Sequence, residues 1–121
     1  MDREKQQKAP FVEALEGYCQ QHMKAYHTPG HKLGQGISAY QANLFGDALR
    51  RDLGVMYALD DLFQPEGALK GAMELAADLY GAGRTFFSIN GTTACIEAMI
   101  LAVGGDGDEL LIPREAHKSV I

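Results

Sequence analysis

The chain has no long apolar run, no tract of basic residues and no closely spaced cysteines or histidines of the kind that ligate zinc. Each absence removes a class of function. A helix that crosses a bilayer needs roughly 20 apolar residues in succession, and no stretch approaches this, so no membrane partner is expected. Acidic residues outnumber basic ones, 16 to 11, for a net charge of −5. Without a basic run, that balance argues against a nucleic-acid partner. Cys19 and Cys95 fall in predicted helices with no metal-like spacing, so free buried thiols and no metal are expected. The start, Met1 to Lys8, is charged and lacks the apolar core of a secretory signal. The cytoplasm is the expected compartment. The 121 residues amount to one domain's worth of chain, with room for a modest core.

What is present concentrates in residues 84–121. The apolar run at 85–89 suits a buried strand. Asn90-Gly91-Thr92-Thr93 interrupts it. Residues 94–103 carry Ile96, Met99, Ile100 and Val103 at helical spacing, and the glycine-rich stretch 104–108 should end that helix. Residues 109–112 then suit a second short strand. A strand that feeds a helix through a Gly/Thr turn leaves backbone N–H groups and hydroxyls aimed at one spot. The helix dipole adds positive potential there, so the spot suits a phosphate.

Upstream, Pro10 suits the first turn of a helix. Phe11, Leu15, Tyr18, Cys19 and His22 follow at i, i+4, i+7, i+8 and i+11, which predicts an amphipathic helix to about Met23. Residues 28–36 hold a proline and three glycines and read as a loop. Residues 38–49 read as loop with a helical turn or two. Residues 53–63 fit no single pattern, and 64–67 read as a turn or a helix start. The spacing of Leu69, Ala72, Met73, Ala76, Leu79 and Tyr80 predicts a helix over 68–80, with Gly81 as its C-terminal cap. Helix, strand, helix, strand in that order favours an α/β fold with a parallel sheet and a right-handed crossover. The chain closes on Ser119-Val120-Ile121, apolar where a terminus would taper into polar residues. The expectation is therefore an incomplete fragment, the N-terminal piece of a longer protein.

Four clusters could carry chemistry, and each has a plainer alternative. In Asn90-Gly91-Thr92-Thr93, Gly91 permits a tight turn while the amides and hydroxyls of Thr92, Thr93 and Ala94 could hold a phosphate. The same residues suit a simple turn with a threonine capping a helix. The segment lacks the Gly-Lys-Ser/Thr ending of a Walker loop and the G-x-G-x-x-G dinucleotide pattern. His117 follows the second strand, where ligand crevices form in parallel sheets. It could stack on an aromatic ligand or move protons, or simply cap a surface helix. His27-Thr28-Pro29-Gly30-His31-Lys32 packs two histidines and a lysine into one turn. Ligation at i, i+4 needs a helix that Pro29-Gly30 forbids, so a metal is not expected and a plain basic loop is the alternative. Asp60-Asp61 with Glu66 makes an acidic turn, most simply a solvated one.

Taken together and in order, these segments resemble the N-terminal part of the pyridoxal-phosphate-dependent ornithine/lysine/arginine decarboxylases, the bacterial group with the aspartate-aminotransferase-type fold. The resemblance rests on the His27–Lys32 loop, on Leu59-Asp60-Asp61-Leu62 with Pro65-Glu66-Gly67, on Phe86 to Thr93, and on Arg114 with His117-Lys118-Ser119. It covers nearly all of residues 9–121 and is similar to the short members of the family. It implies that Gly91, Thr92, Thr93 and Ala94 form the turn that binds the cofactor phosphate. Many members carry Ser-Thr where this chain has Thr92-Thr93. It implies that His117 stacks on the pyridine ring. It places His27, Pro29, Gly30, His31 and Lys32 in a loop near the active-site entrance and subunit interface.

The resemblance also identifies what is missing. The family's Schiff-base lysine lies in a later Ser-x-His-Lys segment, and the aspartate that pairs with the pyridine nitrogen lies downstream too. Lys118 follows a histidine but has no serine two before that histidine, so it is not read as the Schiff-base lysine. The expected architecture is a helical segment over 1–67 followed, over 68–121, by the first part of a cofactor-binding large domain. The implied activity is decarboxylation of arginine, lysine or ornithine to a polyamine precursor, with pyridoxal 5′-phosphate as cofactor and a homodimer or larger homo-oligomer as the assembly. The alternatives are another enzyme of the same fold, an aminotransferase or a different lyase, and a truncated remnant without activity.

Overall fold

The computed structural model describes residues 2–21 and 23–120. Four α-helices follow one another: α1 (Pro10–Gln20), α2 (Ala39–Phe45), α3 (Ala68–Tyr80) and α4 (Gly91–Val103). Short 3₁₀ turns lie at Lys5–Gln7, Gly46–Arg50 and Lys118–Val120. The chain packs as two compact units, Met1–Thr85 and Phe86–Ile121.

In the first unit the helices begin and end where their chemistry dictates. Pro10 opens α1, where its missing N–H costs nothing. The Glu13 carboxylate accepts from the Ala9 amide at 2.9 Å. The helix stops at Gln20, short of the expected end near Met23; the Gln21 N–H closes its last turn onto the Tyr18 carbonyl at 3.1 Å. His22 lies outside the described residues. Ser38 and Gln41 form a reciprocal capping box on α2. α3 has the bounds its periodicity predicts, and Gly81 caps it in the left-handed region at φ 64°.

α1 packs on α3. Pro10 and Gly71 meet in this packing: a Cβ on Gly71 would stand in ordinary contact, 3.4 Å, with the Pro10 ring. Tyr18, Leu59, Met73 and Ala77 are the buried apolar residues of this unit. Leu79 and Tyr80, expected on the buried face of α3, are instead exposed at its C-terminal end. From the N-terminal turn, the Gln6 amide donates to the Leu75 carbonyl at 2.9 Å and to the Asp78 carboxylate at 3.2 Å. The packing division thus falls after α3, whereas the boundary read from the motifs falls before it.

The second unit departs from expectation. Residues 85–89 and 109–112 were expected as parallel strands, yet no strand forms among the described residues and both segments are irregular. A strand exists only through a ladder with a partner. A parallel pair, moreover, needs cover on both faces, which one helix cannot give. The helix between them does form. It begins at Gly91, a little before the expected start, and ends at the glycines 104 and 105. It is apolar almost all round, the pattern of a helix meant for a core, but none of its residues is fully buried. Met99, Leu101 and Val103 are exposed, as are Phe86, Ile89 and Leu111.

Candidate functional site

The start of α4 is an open set of backbone donors. Asn90 is the N-cap residue but its side chain makes no capping bond. Gly91 turns the chain with φ 77°, and nothing lies within 4 Å of where a Cβ would stand. Only glycine adopts this conformation without strain. Thr92 and Thr93 are exposed in the first turn, and Ala94 is half-buried behind them. The first-turn amides have no intrahelical acceptor, and no side chain among the described residues accepts from them. Free donors, two hydroxyls and the positive end of a helix dipole meet at one exposed place.

His117 belongs to the same compact unit. It is exposed, and it precedes the Lys118–Val120 turn, which packs on α4. Its Nδ1 accepts from the Ser119 amide at 3.2 Å and lies 2.8 Å from the Ser119 hydroxyl. An accepting Nδ1 puts the proton of the neutral ring on Nε2, so Nε2–H is free to donate outward. Lys118 is exposed beside it.

The basic loop is built by its two histidines. His27 lies with Nδ1 2.9 Å from the Thr28 carbonyl and Nε2 3.3 Å from the Tyr18 hydroxyl. A carbonyl can only accept, so Nδ1 carries the proton and Nε2 takes the hydrogen bond of the buried tyrosine. His31 has the opposite tautomer. Its Nδ1 accepts from the Gly34 amide at 3.2 Å and its Nε2 donates to Asp52 at 3.1 Å. Lys32 and Leu33 both have left-handed backbones, φ 51° and 56°, which is strained for a leucine. The bonds from the Gly34 amide to His31 and from the Gly36 amide to the His31 carbonyl hold that strained segment. Pro29 is half-buried, while Gly30 and Lys32 are exposed.

Asp60 has a role that the sequence reading missed. Gly67, the N-cap of α3, has no side chain to cap it. The Asp60 carboxylate does so from a distance, accepting from the amides of Gly67 (2.8 Å), Leu69 (3.0 Å) and Lys70 (3.3 Å) through Oδ2. Its Oδ1 accepts from Asp61 and Glu66, each at 2.9 Å. Partial burial acts to raise its pKa, but the amides outweigh it and hold the carboxyl well below the usual aspartate range. The signal was present: a bare glycine at a helix start, preceded by an acidic turn. A cavity of about 530 Å³ lies beside this turn, lined in part by Val55, Tyr57, Asp61 and Gln64.

Gly91, Thr92, Thr93 and Ala94 thus share one unit with His117, and the His27–Lys32 loop belongs to the other. Among the described residues no three histidine, cysteine or acidic side chains cluster as a metal site. Cys19 and Cys95 are free and half-buried. No described helix is long and apolar enough to cross a membrane.

Comparison with known proteins gives a consistent result. Residues 9–121 match the family model for the Orn/Lys/Arg decarboxylase major domain. An arginine decarboxylase of Bacillus anthracis is 43% identical over 122 residues, covering all of this chain and 25% of the relative. The inducible ornithine decarboxylase of Escherichia coli is 36% identical over 96% of this chain and 17% of its own length. A lysine decarboxylase of Pseudomonas aeruginosa, LdcA, is 36% identical over 93% of this chain and 16% of its own length. The chain therefore spans about a quarter or less of these relatives. No solved structure gives a significant match.

Proposed function

The chain belongs to the Orn/Lys/Arg decarboxylase family, and from that premise we propose that the full-length protein to which it contributes removes the carboxyl group of a basic amino acid using pyridoxal 5′-phosphate. The observation that carries the reading is the family match across residues 9–121 together with the open donor set at the start of α4. Relatives named for arginine, ornithine and lysine all align to this chain, so the substrate class is the basic amino acids rather than one of them.

The residues present fit the cofactor's phosphate. The amides of the first turn of α4 lack acceptors, Gly91 leaves their approach clear of side chain, and Thr92 and Thr93 add hydroxyls. In this reading these groups and Ala94 bind the phosphate, and the helix end contributes ~0.3–2 kcal/mol of charge stabilisation. His117 presents its ring to the pyridine and keeps the Nε2 proton as a donor, because Ser119 occupies Nδ1. When bound, the cofactor supplies the electron sink that decarboxylation requires. The His27–Lys32 loop shapes the entrance near a homodimer interface. Residues 85–89 and 109–112 complete their expected roles as parallel strands of an aminotransferase-type α/β domain, once partner strands flank them. The enzyme works in the cytoplasm.

The test is carbon dioxide release by the full-length protein from arginine, lysine and ornithine, with and without added cofactor. Cofactor-dependent release from one of the three supports the reading. Transamination of these substrates, or no turnover of any, contradicts it.

A further inference from the structure

We propose that Asn90 is a site of spontaneous deamidation, that the first turn of α4 restrains the reaction, and that its product closes the anion site. Asn90 is exposed, its side-chain amide has no hydrogen-bond partner among the described residues, and glycine follows it. With no Cβ, and with no atom beyond its chain neighbours and its own helix backbone within 4 Å of the place one would occupy, Gly91 leaves its own nitrogen open to a neighbouring electrophile.

The step balances without any oxidant. The Gly91 nitrogen gives its proton to a solvent base and attacks Cγ of Asn90. The N–Cγ bond forms, the Cγ–Nδ2 bond breaks, and Nδ2 takes up a proton and leaves as ammonia. Water then opens the cyclic imide at one carbonyl or the other, giving aspartate or isoaspartate. Ring closure requires the Gly91 nitrogen to eclipse Cβ about the Cα–C bond. At the observed ψ of 18° that nitrogen lies on the far side of the bond. The folded turn is therefore unreactive, and the reaction proceeds through states in which the start of α4 has frayed.

The consequence follows from charge. Either product puts a carboxylate at the N-cap of α4, where it takes the free amides for itself. It then competes with and repels a phosphate at the same donors. This part rests on the phosphate reading given above; the deamidation itself does not.

The other asparagine of the chain, Asn43, is an internal control. It lies inside α2 and precedes Leu44. The 121-residue chain is incubated at mildly alkaline pH, with and without inorganic phosphate, beside a free peptide of residues 86–95 in the same buffers. Peptide mapping by mass spectrometry, with isoaspartate detection, follows both asparagines. Asn90 should convert several-fold faster than Asn43, and several-fold slower in the chain than in the peptide. Asn90→Gln should remove the signal. Equal conversion of Asn90 and Asn43, or none at Asn90, overturns the proposal. Equal rates in chain and peptide overturn the restraint by α4. Phosphate should slow the chain relative to the peptide; if Asn90 converts and phosphate gives no protection, the modification stands and the anion reading falls.

Discussion

The two compact units of this chain use their apolar residues in opposite ways. In Met1–Thr85, α1 packs on α3, Tyr18, Met73 and Ala77 are buried, and every α-helix start is capped or begun by proline. In Phe86–Ile121, a helix richer in apolar residues buries none of them fully, and its capping position is unused. The first unit is closed by local chemistry and a small interface. The second has the composition of a core element and a donor set left open for a ligand. An unsatisfied helix end is costly as structure and useful as a site, and this contrast is the ground on which we propose the start of α4 as the phosphate site.

The largest expected effect is a core truncation. Met73→Ala should cost ~2–5 kcal/mol, the usual range for emptying a buried methionine site, and should lower the thermal midpoint of the α1–α3 unit by circular dichroism. An equal loss of order at α4 would break the comparison, because it would make the second unit depend on the first.

Next comes Asp60→Ala, which removes the remote cap of α3. The expected cost is ~2 kcal/mol, the upper end for a lost helix cap. The same residue predicts an acid limit. Its pKa is depressed in the folded state, so its stabilisation is fully present above the ordinary aspartate value, near 4, and is lost as pH falls through the lower folded value. An acid titration followed by helix signal should show this loss in the parent and not in the variant. Identical acid curves would remove Asp60 from its role.

How much was legible follows from what each signal depends on. α3 was read with its correct ends because periodicity, a glycine cap and thirteen residues all act locally. α1 was read with a correct start and a late end. The strands expected at 85–89 and 109–112 are not formed among the described residues, because strand propensity becomes structure only when a partner is present. Asp60 reads as a solvated acid in the sequence because most of the backbone amides that donate to it lie six to ten residues further on. The glycine-threonine turn was legible as a helix start with free donors; whether a ligand fills it is not written in local sequence.

A smaller effect sharpens the comparison from the other side. Leu101→Lys in α4 should change stability by no more than ~0.5 kcal/mol in this chain, since Leu101 is 79% exposed. Amide hydrogen exchange should likewise be faster through α4 than through α3, whose face is buried. Strong protection of α4, or a large loss from Leu101→Lys, would show that the second unit has a core of its own.

The central claim is that the open end of α4 and His117 together receive the cofactor, and it is tested most directly by cofactor titration of Thr93→Ala and His117→Ala in the full-length protein. Thr93→Ala should weaken binding by ~1.5–3 kcal/mol, the worth of a charge-assisted hydrogen bond. Binding should persist, because the amides and the helix dipole remain. His117→Ala should shift the absorbance of the bound cofactor and lower turnover more than affinity. If both variants bind cofactor and turn over like the parent, the donors at α4 serve only the turn and the account is contradicted.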